Sequence, residues 1–154
     1  MAVAAGLVPV AIGSDTAGSV RIPASFCGVV GFKTSEGRVS TDRCFALSRT
    51  QDTLGPLAHS VEDCALIFNA LTGQPDRPIE ISALKQLVIL VPEGFVMDGL
   101  APSVAAAFES SIKELQSAGA CIRRQSIPAL ETAAAMLRDL GSIVAADAFH
   151  EHRK

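Results

Sequence analysis

The chain has 154 residues with 13 Lys+Arg against 16 Asp+Glu, a net charge of −3 at pH 7. At 49% hydrophobic and 19% charged residues, it holds ample apolar surface to offset the entropy of ordering, which argues against disorder. A mildly acidic chain without basic runs is a poor partner for a phosphate backbone, and seven Phe with no Trp or Tyr leave few platforms for stacking bases, so no nucleic-acid partner is expected.

No stretch has the length of a membrane helix. The charge-free opening, Met1 to Ser14, contains Pro9 and ends at Asp15. It also lacks the basic start of a secretory signal, since the first basic residue is Arg21. Cys27, Cys44, Cys64 and Cys121 show no metal-ribbon or C-x-x-C spacing and read as reduced, mostly buried thiols. A cytoplasmic chain with no membrane partner is expected. Mean hydropathy is +0.36, high for one domain, as in a fragment whose apolar faces pack against something absent.

Residues 1–57 are rich in Gly, Ser and Thr. Their apolar runs Leu7–Ile12 and Val29–Phe32 read as buried strands or extended segments, with turn chemistry in Gly13–Ser19 and Thr34–Gly37. Between 60 and 72 the period changes: Val61, Cys64, Ala65, Phe68 and Leu71 share one helical face. Ser60 stands at the N-cap with Asp63 three residues on, and Gly73 is the stop. Gln74–Ser82 reads as a Pro-rich polar linker.

Leu87–Val91, closed by Pro92, then reads as a strand, Ser103–Ala118 as an amphipathic helix ended by Gly119, and Cys121–Ile127 as a strand. Strand–helix–strand with short connectors is a βαβ unit with parallel strands and a right-handed crossover. Leu130 to about His150 reads as one largely apolar helix buried on more than one face.

The informative segment is Ser14-Asp-Thr-Ala-Gly-Ser-Val-Arg-Ile-Pro23. It is not a phosphate loop, because no lysine precedes Lys33, and it lacks both G-x-G-x-x-G and G-x-S-x-G. A strand here delivers the chain into small residues and then a serine. Successive N–H groups of such a loop can converge on a developing oxyanion, and small side chains leave room for a carbonyl. Composition alone favours a plain Gly/Ser/Thr connector. Arg21, with five fixed donors, reads as pinning the loop, and Asp15 and Asp52 as carboxylates that order loops by accepting N–H bonds. His150 and His152, at i and i+2, face different sides of a helix and do not share a metal ion, so a frayed C-terminus is expected there. His59 has no partner nearby in sequence.

The run Gly13-Ser-Asp-Thr-Ala-Gly-Ser-Val-Arg-Ile-Pro-Ala-Ser-Phe-Cys-Gly-Val-Val-Gly-Phe-Lys33 resembles the amidase signature family. Gln51-Asp-Thr-Leu-Gly-Pro56 and Ser60-Val-Glu-Asp63 follow the same pattern. The resemblance implies an α/β fold, a portion of a mixed, largely parallel sheet flanked by helices. One partial domain would then span 1–154, with the signature and nucleophile in 1–73 and the βαβ unit plus a C-terminal helix in 74–154. It implies carboxamide hydrolysis through an acyl-enzyme, with Ser19 as nucleophile and the backbone amides of Thr16, Ala17, Gly18 and Ser19 as oxyanion hole. No metal or organic cofactor is implied.

Two departures stand out. The family's paired glycines are Ala17-Gly18 here, which requires negative φ at Ala17, and its Lys-Pro-Thr is Lys33-Thr34-Ser35. The family's cis-serine and catalytic lysine lie upstream of the nucleophile and are not expected in this chain, since Lys33, Lys85, Lys113 and Lys154 do not match the lysine's motif. Without a base a serine is a weak nucleophile, so impaired turnover is expected. The alternative is a non-catalytic scaffold or one component of a larger assembly. Expected partners are a small amide and either the remainder of the enzyme or a second copy. The amidase component that acts on charged tRNA is disfavoured, because nothing basic supports RNA contact.

Open-edged strands of this kind pair with copies of themselves. Light scattering at high concentration is therefore expected to show species larger than the monomer.

Overall fold

In the computed structural model, which describes residues 1–75 and 84–153, the chain divides into two compact units. One is Met1–Ile79 with Gly141–Lys154, and the other is Glu80–Leu140. The last helix therefore gathers with the N-terminal residues, not with the βαβ unit beside it in sequence. The expected linker lies outside the described residues beyond Pro75.

The first unit is built on a three-stranded sheet. β1 (Val10–Asp15) and β2 (Val30–Gly31) flank β3 (Thr53–Ala58), and each runs antiparallel to it. The first strand lies three residues later than its apolar run predicts. Leu7 is 78% exposed, whereas Ser14 and Asp15 pair with Leu54 and Thr53. Hydrophobicity marked the strand's start too early because pairing with β3 sets its length.

In β3, Pro56 has no N–H to give, yet its carbonyl accepts from the Phe32 N–H at 3.0 Å, just past the end of β2. Gly55 is required by proximity: a Cβ there would stand 1.9 Å from the Phe32 carbonyl oxygen. Gly31 plays the same part on β2, where a Cβ would meet that of Ala24 at 2.6 Å.

Ala24 belongs to α1 (Arg21–Cys27), a helix that the periodicity does not announce. It has seven residues, a Pro in its first turn and no side-chain N-cap, so local preferences alone leave it marginal. Packing of the buried Ala24 against Gly31 and a left-handed C-cap at Gly28 hold it. α2 (Val61–Thr72) forms as the sequence dictates. Its Asp63 N–H bonds the Ser60 hydroxyl at 3.0 Å, and Gly73 closes it at φ 65°. Cys64 is buried on its inner face, and Phe68 meets Phe32 edge to face at 5.5 Å.

In the second unit β4 (Val88–Glu93) and β5 (Cys121–Ser126) pair in parallel across α3 (Pro102–Ser117), the βαβ arrangement read from sequence. β4 runs through Pro92, which pairs with Gln125, so that proline does not close the strand. A proline on a strand with one neighbour gives up no obligatory bond. Val91, Ile112 and Ala120 are buried here.

The single long C-terminal helix is not observed. α4 (Pro128–Leu140) stops where Gly141 turns to φ 82°, and α5 (Ile143–His152) restarts with Ser142 accepting from the Ala145 N–H at 3.1 Å. A left-handed glycine followed by a serine N-cap ends one helix and begins another. Neither helix holds a buried residue, so the expected burial on several faces is also corrected. Exposed apolar side chains abound, Phe26 at 88% and Leu140 at 79% among them.

Of the cysteines, all free, only Cys64 is buried, and burial pushes its thiol upward. Cys44 and Cys121 are exposed, which corrects the expectation of mostly buried thiols.

Gly55→Ala is expected to cost at least about 2 kcal/mol, because backbone rather than a mobile side chain blocks the new methyl. Gly37→Ala, at φ 71° with nothing within 4 Å, should cost about 1 kcal/mol. Urea unfolding of the two variants compares them.

Candidate active site

Asp15 ends β1, and its side chain has no solvent exposure. Its Oδ2 accepts the N–H groups of Val20 at 3.2 Å and Arg21 at 3.3 Å. The Arg21 guanidinium adds a bidentate pair, Nε to Oδ2 at 3.0 Å and Nη2 to Oδ1 at 3.1 Å. The Arg21 hydrogen bond outweighs burial and, helped by the two backbone donors, lowers the Asp15 pKa to about 2. The Asp15 carbonyl accepts from the buried Thr53 hydroxyl at 2.8 Å.

The loop between strand and helix is thus gathered at both ends onto one residue. Within it Gly18 is buried at φ 143°, where a Cβ would meet the Ile22 side chain at 2.6 Å. Ala17 has no positive φ, meeting the condition its motif position sets. Ser19 is exposed and stands two residues before α1.

On the other side of the loop the Thr16 hydroxyl donates to Asp52 at 2.5 Å. Asp52 also accepts the N–H groups of Leu47 at 2.8 Å and Ser48 at 3.1 Å. Burial works against its ionised form, but these three bonds prevail and hold it below the usual carboxylate range. Ser48, fully buried, and Thr50 both donate hydroxyls to Asp147 of α5 at 2.6 Å, which lowers that carboxyl as well. A polar cavity of 220 Å³ lies beside this loop, lined by Thr41, Cys44, Ala46, Arg49 and Asp52.

The family model described as Amidase matches residues 1–153. This chain belongs to the amidase family. A glutamyl-tRNA(Gln) amidotransferase subunit of Staphylococcus aureus is 36% identical, over 82% of this chain and 29% of that protein. Its counterpart in Chromohalobacter salexigens is 40% identical over the same shares. Among solved structures, the glutamyl-tRNA(Gln) amidotransferase subunit from Thermotoga maritima superposes with a TM-score of 0.83 at 32% identity, covering 99% of this chain and 36% of that one. Peptide amidase from Stenotrophomonas maltophilia does so at 0.74 and 31%, covering 99% and 35%. The fold is therefore a portion of the amidase α/β fold. The chain spans 29% of the length of those curated relatives.

Thr16, Ala17, Gly18 and Ser19 form one loop, and Asp15 and Arg21 meet beneath it. The sequence singled out Thr16 and Asp52 separately without pairing them, and it passed over Ser48 and Asp147 entirely. Ser48 and Asp147 lie 99 residues apart, and no local pattern signals such a pairing. His59 does find a partner, its Nε2 lying 2.8 Å from the Val3 carbonyl. His152 is not frayed. Its ring stacks on Phe45 at 4.8 Å, and its Nε2 lies 2.8 Å from the Ala46 carbonyl. No helix among the described residues is long and apolar enough to cross a membrane.

Because the Asp15 carboxyl titrates lower in the folded chain than in the unfolded one, its contribution is fully present above about pH 4 and is lost as pH falls toward 2. Asp15→Asn is expected to destabilise by about 2 kcal/mol at pH 7 and by much less near pH 2. Urea midpoints of wild type and variant across that range check both.

Proposed function

We propose that this chain carries the nucleophile and oxyanion loop of a carboxamide hydrolase. The observation that supports it most is the Asp15-braced loop: family membership falls on a segment whose backbone is tied at both ends while Ser19 stays exposed.

In this reading the Ser19 Oγ attacks the carboxamide carbon and loses its proton to a base. The carbonyl oxygen takes the negative charge, facing the backbone N–H groups of Thr16, Ala17, Gly18 and Ser19. Collapse expels ammonia or an amine, which takes up a proton. Water then cleaves the acyl–Ser19 ester and regenerates the hydroxyl. Small neighbours, Ala17 and Gly18, leave space for the substrate carbonyl.

Among the described residues no titratable group is hydrogen-bonded to the Ser19 hydroxyl. We read the base as coming from outside them, supplied by further chain or by a partner, and the chain by itself as a weak catalyst. The relatives' names point to different substrates, a glutamyl-tRNA(Gln) in one case and a peptide in the other. With a net charge of −3, we favour a small carboxamide over contact with RNA by this chain. Free thiols throughout support a reducing, cytoplasmic setting.

A serine-directed fluorophosphonate tests the reading, since attack by Oγ at phosphorus expels fluoride and leaves a mass tag. Intact-mass analysis is expected to show one slowly formed adduct, absent from Ser19→Ala, with both chains folded by circular dichroism. An adduct that persists in Ser19→Ala would overturn Ser19 as nucleophile, and a folded wild-type chain that takes no adduct would overturn its activation within this chain and leave a non-catalytic scaffold.

A further inference from the structure

The Thr16–Asp52 bond joins residues 36 apart and is 2.5 Å long. Asp52 is itself held. Its second oxygen accepts from the backbone of Leu47 and Ser48, and Ser48 is anchored through its hydroxyl to Asp147. Two further contacts fasten α5 to the same loop: Arg49 to Glu151 at 2.9 Å, and His152 to the Ala46 carbonyl. The chain of bonds therefore runs from the C-terminal helix, through a fully buried serine, to the first residue of the loop that leads to Ser19.

Resting on the assignment of Ser19 above, we propose that Asp52 is a positioning residue for the oxyanion hole. It holds Thr16 so that the loop's N–H groups converge, and α5, through Asp147 and Ser48, keeps Asp52 in place. Chemistry favours a carboxylate in this position. Asp52 takes three donors on two acceptor oxygens, whereas an asparagine offers one oxygen, and its amide meets the Thr16 hydroxyl only by reversing that bond into a neutral, weaker one. Charge-assisted bonds are also the short, strong ones. Oxyanion donors act only if they are aimed before charge develops, so a fixed Thr16 matters to rate as well as to stability.

Asp15 holds the far end of this loop by its own four bonds. Asp52 supplies the restraint that Asp15 does not, on the side chain of the loop's opening residue.

The test uses the full chain with Thr16→Val, Thr16→Ser, Asp52→Asn and the Thr16→Val/Asp52→Asn double variant. Amide hydrogen exchange is followed over residues 14–21 and, as control, over β3. Exchange over 14–21 is expected to quicken in Thr16→Val and Asp52→Asn with β3 unchanged, to be no faster in the double variant, and to return toward wild type in Thr16→Ser. Fluorophosphonate labelling of Ser19 should slow by at least about tenfold in the same variants and recover in Thr16→Ser. Asp147→Asn should shift both readouts in the same direction by less.

Labelling that is unchanged in Thr16→Val and Asp52→Asn would overturn the proposal while leaving Ser19 as nucleophile. Equal acceleration in β3 would overturn it too, reducing the bond to general stability. Coupled exchange over 14–21 in a chain that takes no adduct at all would instead overturn the activation of Ser19 within this chain and support Asp52 as the residue that orders the loop. Should Asp52→Asn fail to fold, the Thr16→Val and Thr16→Ser pair decides by itself.

Discussion

A carboxylate with no solvent exposure stays ionised only if hydrogen-bond donors replace its lost water. For Asp15 the replacements come from the next few residues of the chain, the backbone of Val20 and Arg21 and the Arg21 guanidinium. To bring them round, residues 16–19 must reverse within a single short loop. That demand places a left-handed glycine at 18, leaves Ser19 on the outside and starts α1 immediately afterwards. The Thr53 hydroxyl on the Asp15 carbonyl ties the same point to the central strand. Loop, helix and sheet thus share one electrostatic anchor.

Close backbone approach is the second constraint. α1 rests on β2 because Gly31 has no side chain, and the Phe32 carbonyl passes β3 because Gly55 has none. α1 persists as seven residues because it is packed, since so short a segment has little stability of its own. The site is therefore positioned by absent atoms as much as by present ones. This explains how a loop of small residues can be held firmly: its restraint comes from neighbours and hydrogen bonds rather than from bulky side chains of its own.

Loop 44–52 and α5 show how the first unit is closed. Ser48 is buried and polar, a costly combination unless its hydroxyl is satisfied. Asp147 satisfies it from a helix almost a hundred residues away. Arg49 with Glu151, and Phe45 stacked on His152, add contacts at the surface, where each is individually weak. The buried hydroxyl is what specifies the docking. The surface pairs only fit around it.

What the sequence by itself determined is local or repeated. The period of Val61, Cys64, Ala65, Phe68 and Leu71, with Ser60 and Gly73 as caps, specified α2, and the alternation of β4, α3 and β5 specified a parallel βαβ unit. The Asp15–Arg21 stretch marked the loop, because a motif keeps its residues adjacent. The tertiary structure alone decided the rest. α1 depends on Gly31 and the start of β1 depends on β3, whereas the break at Gly141 is written locally in Gly141-Ser142 and escapes the hydrophobic pattern because apolar residues resume on either side. Thr16 with Asp52, and Ser48 with Asp147, are pairings across 36 and 99 residues. Such a bond is a property of two backbones brought together, and neither residue's sequence neighbours carry any trace of it.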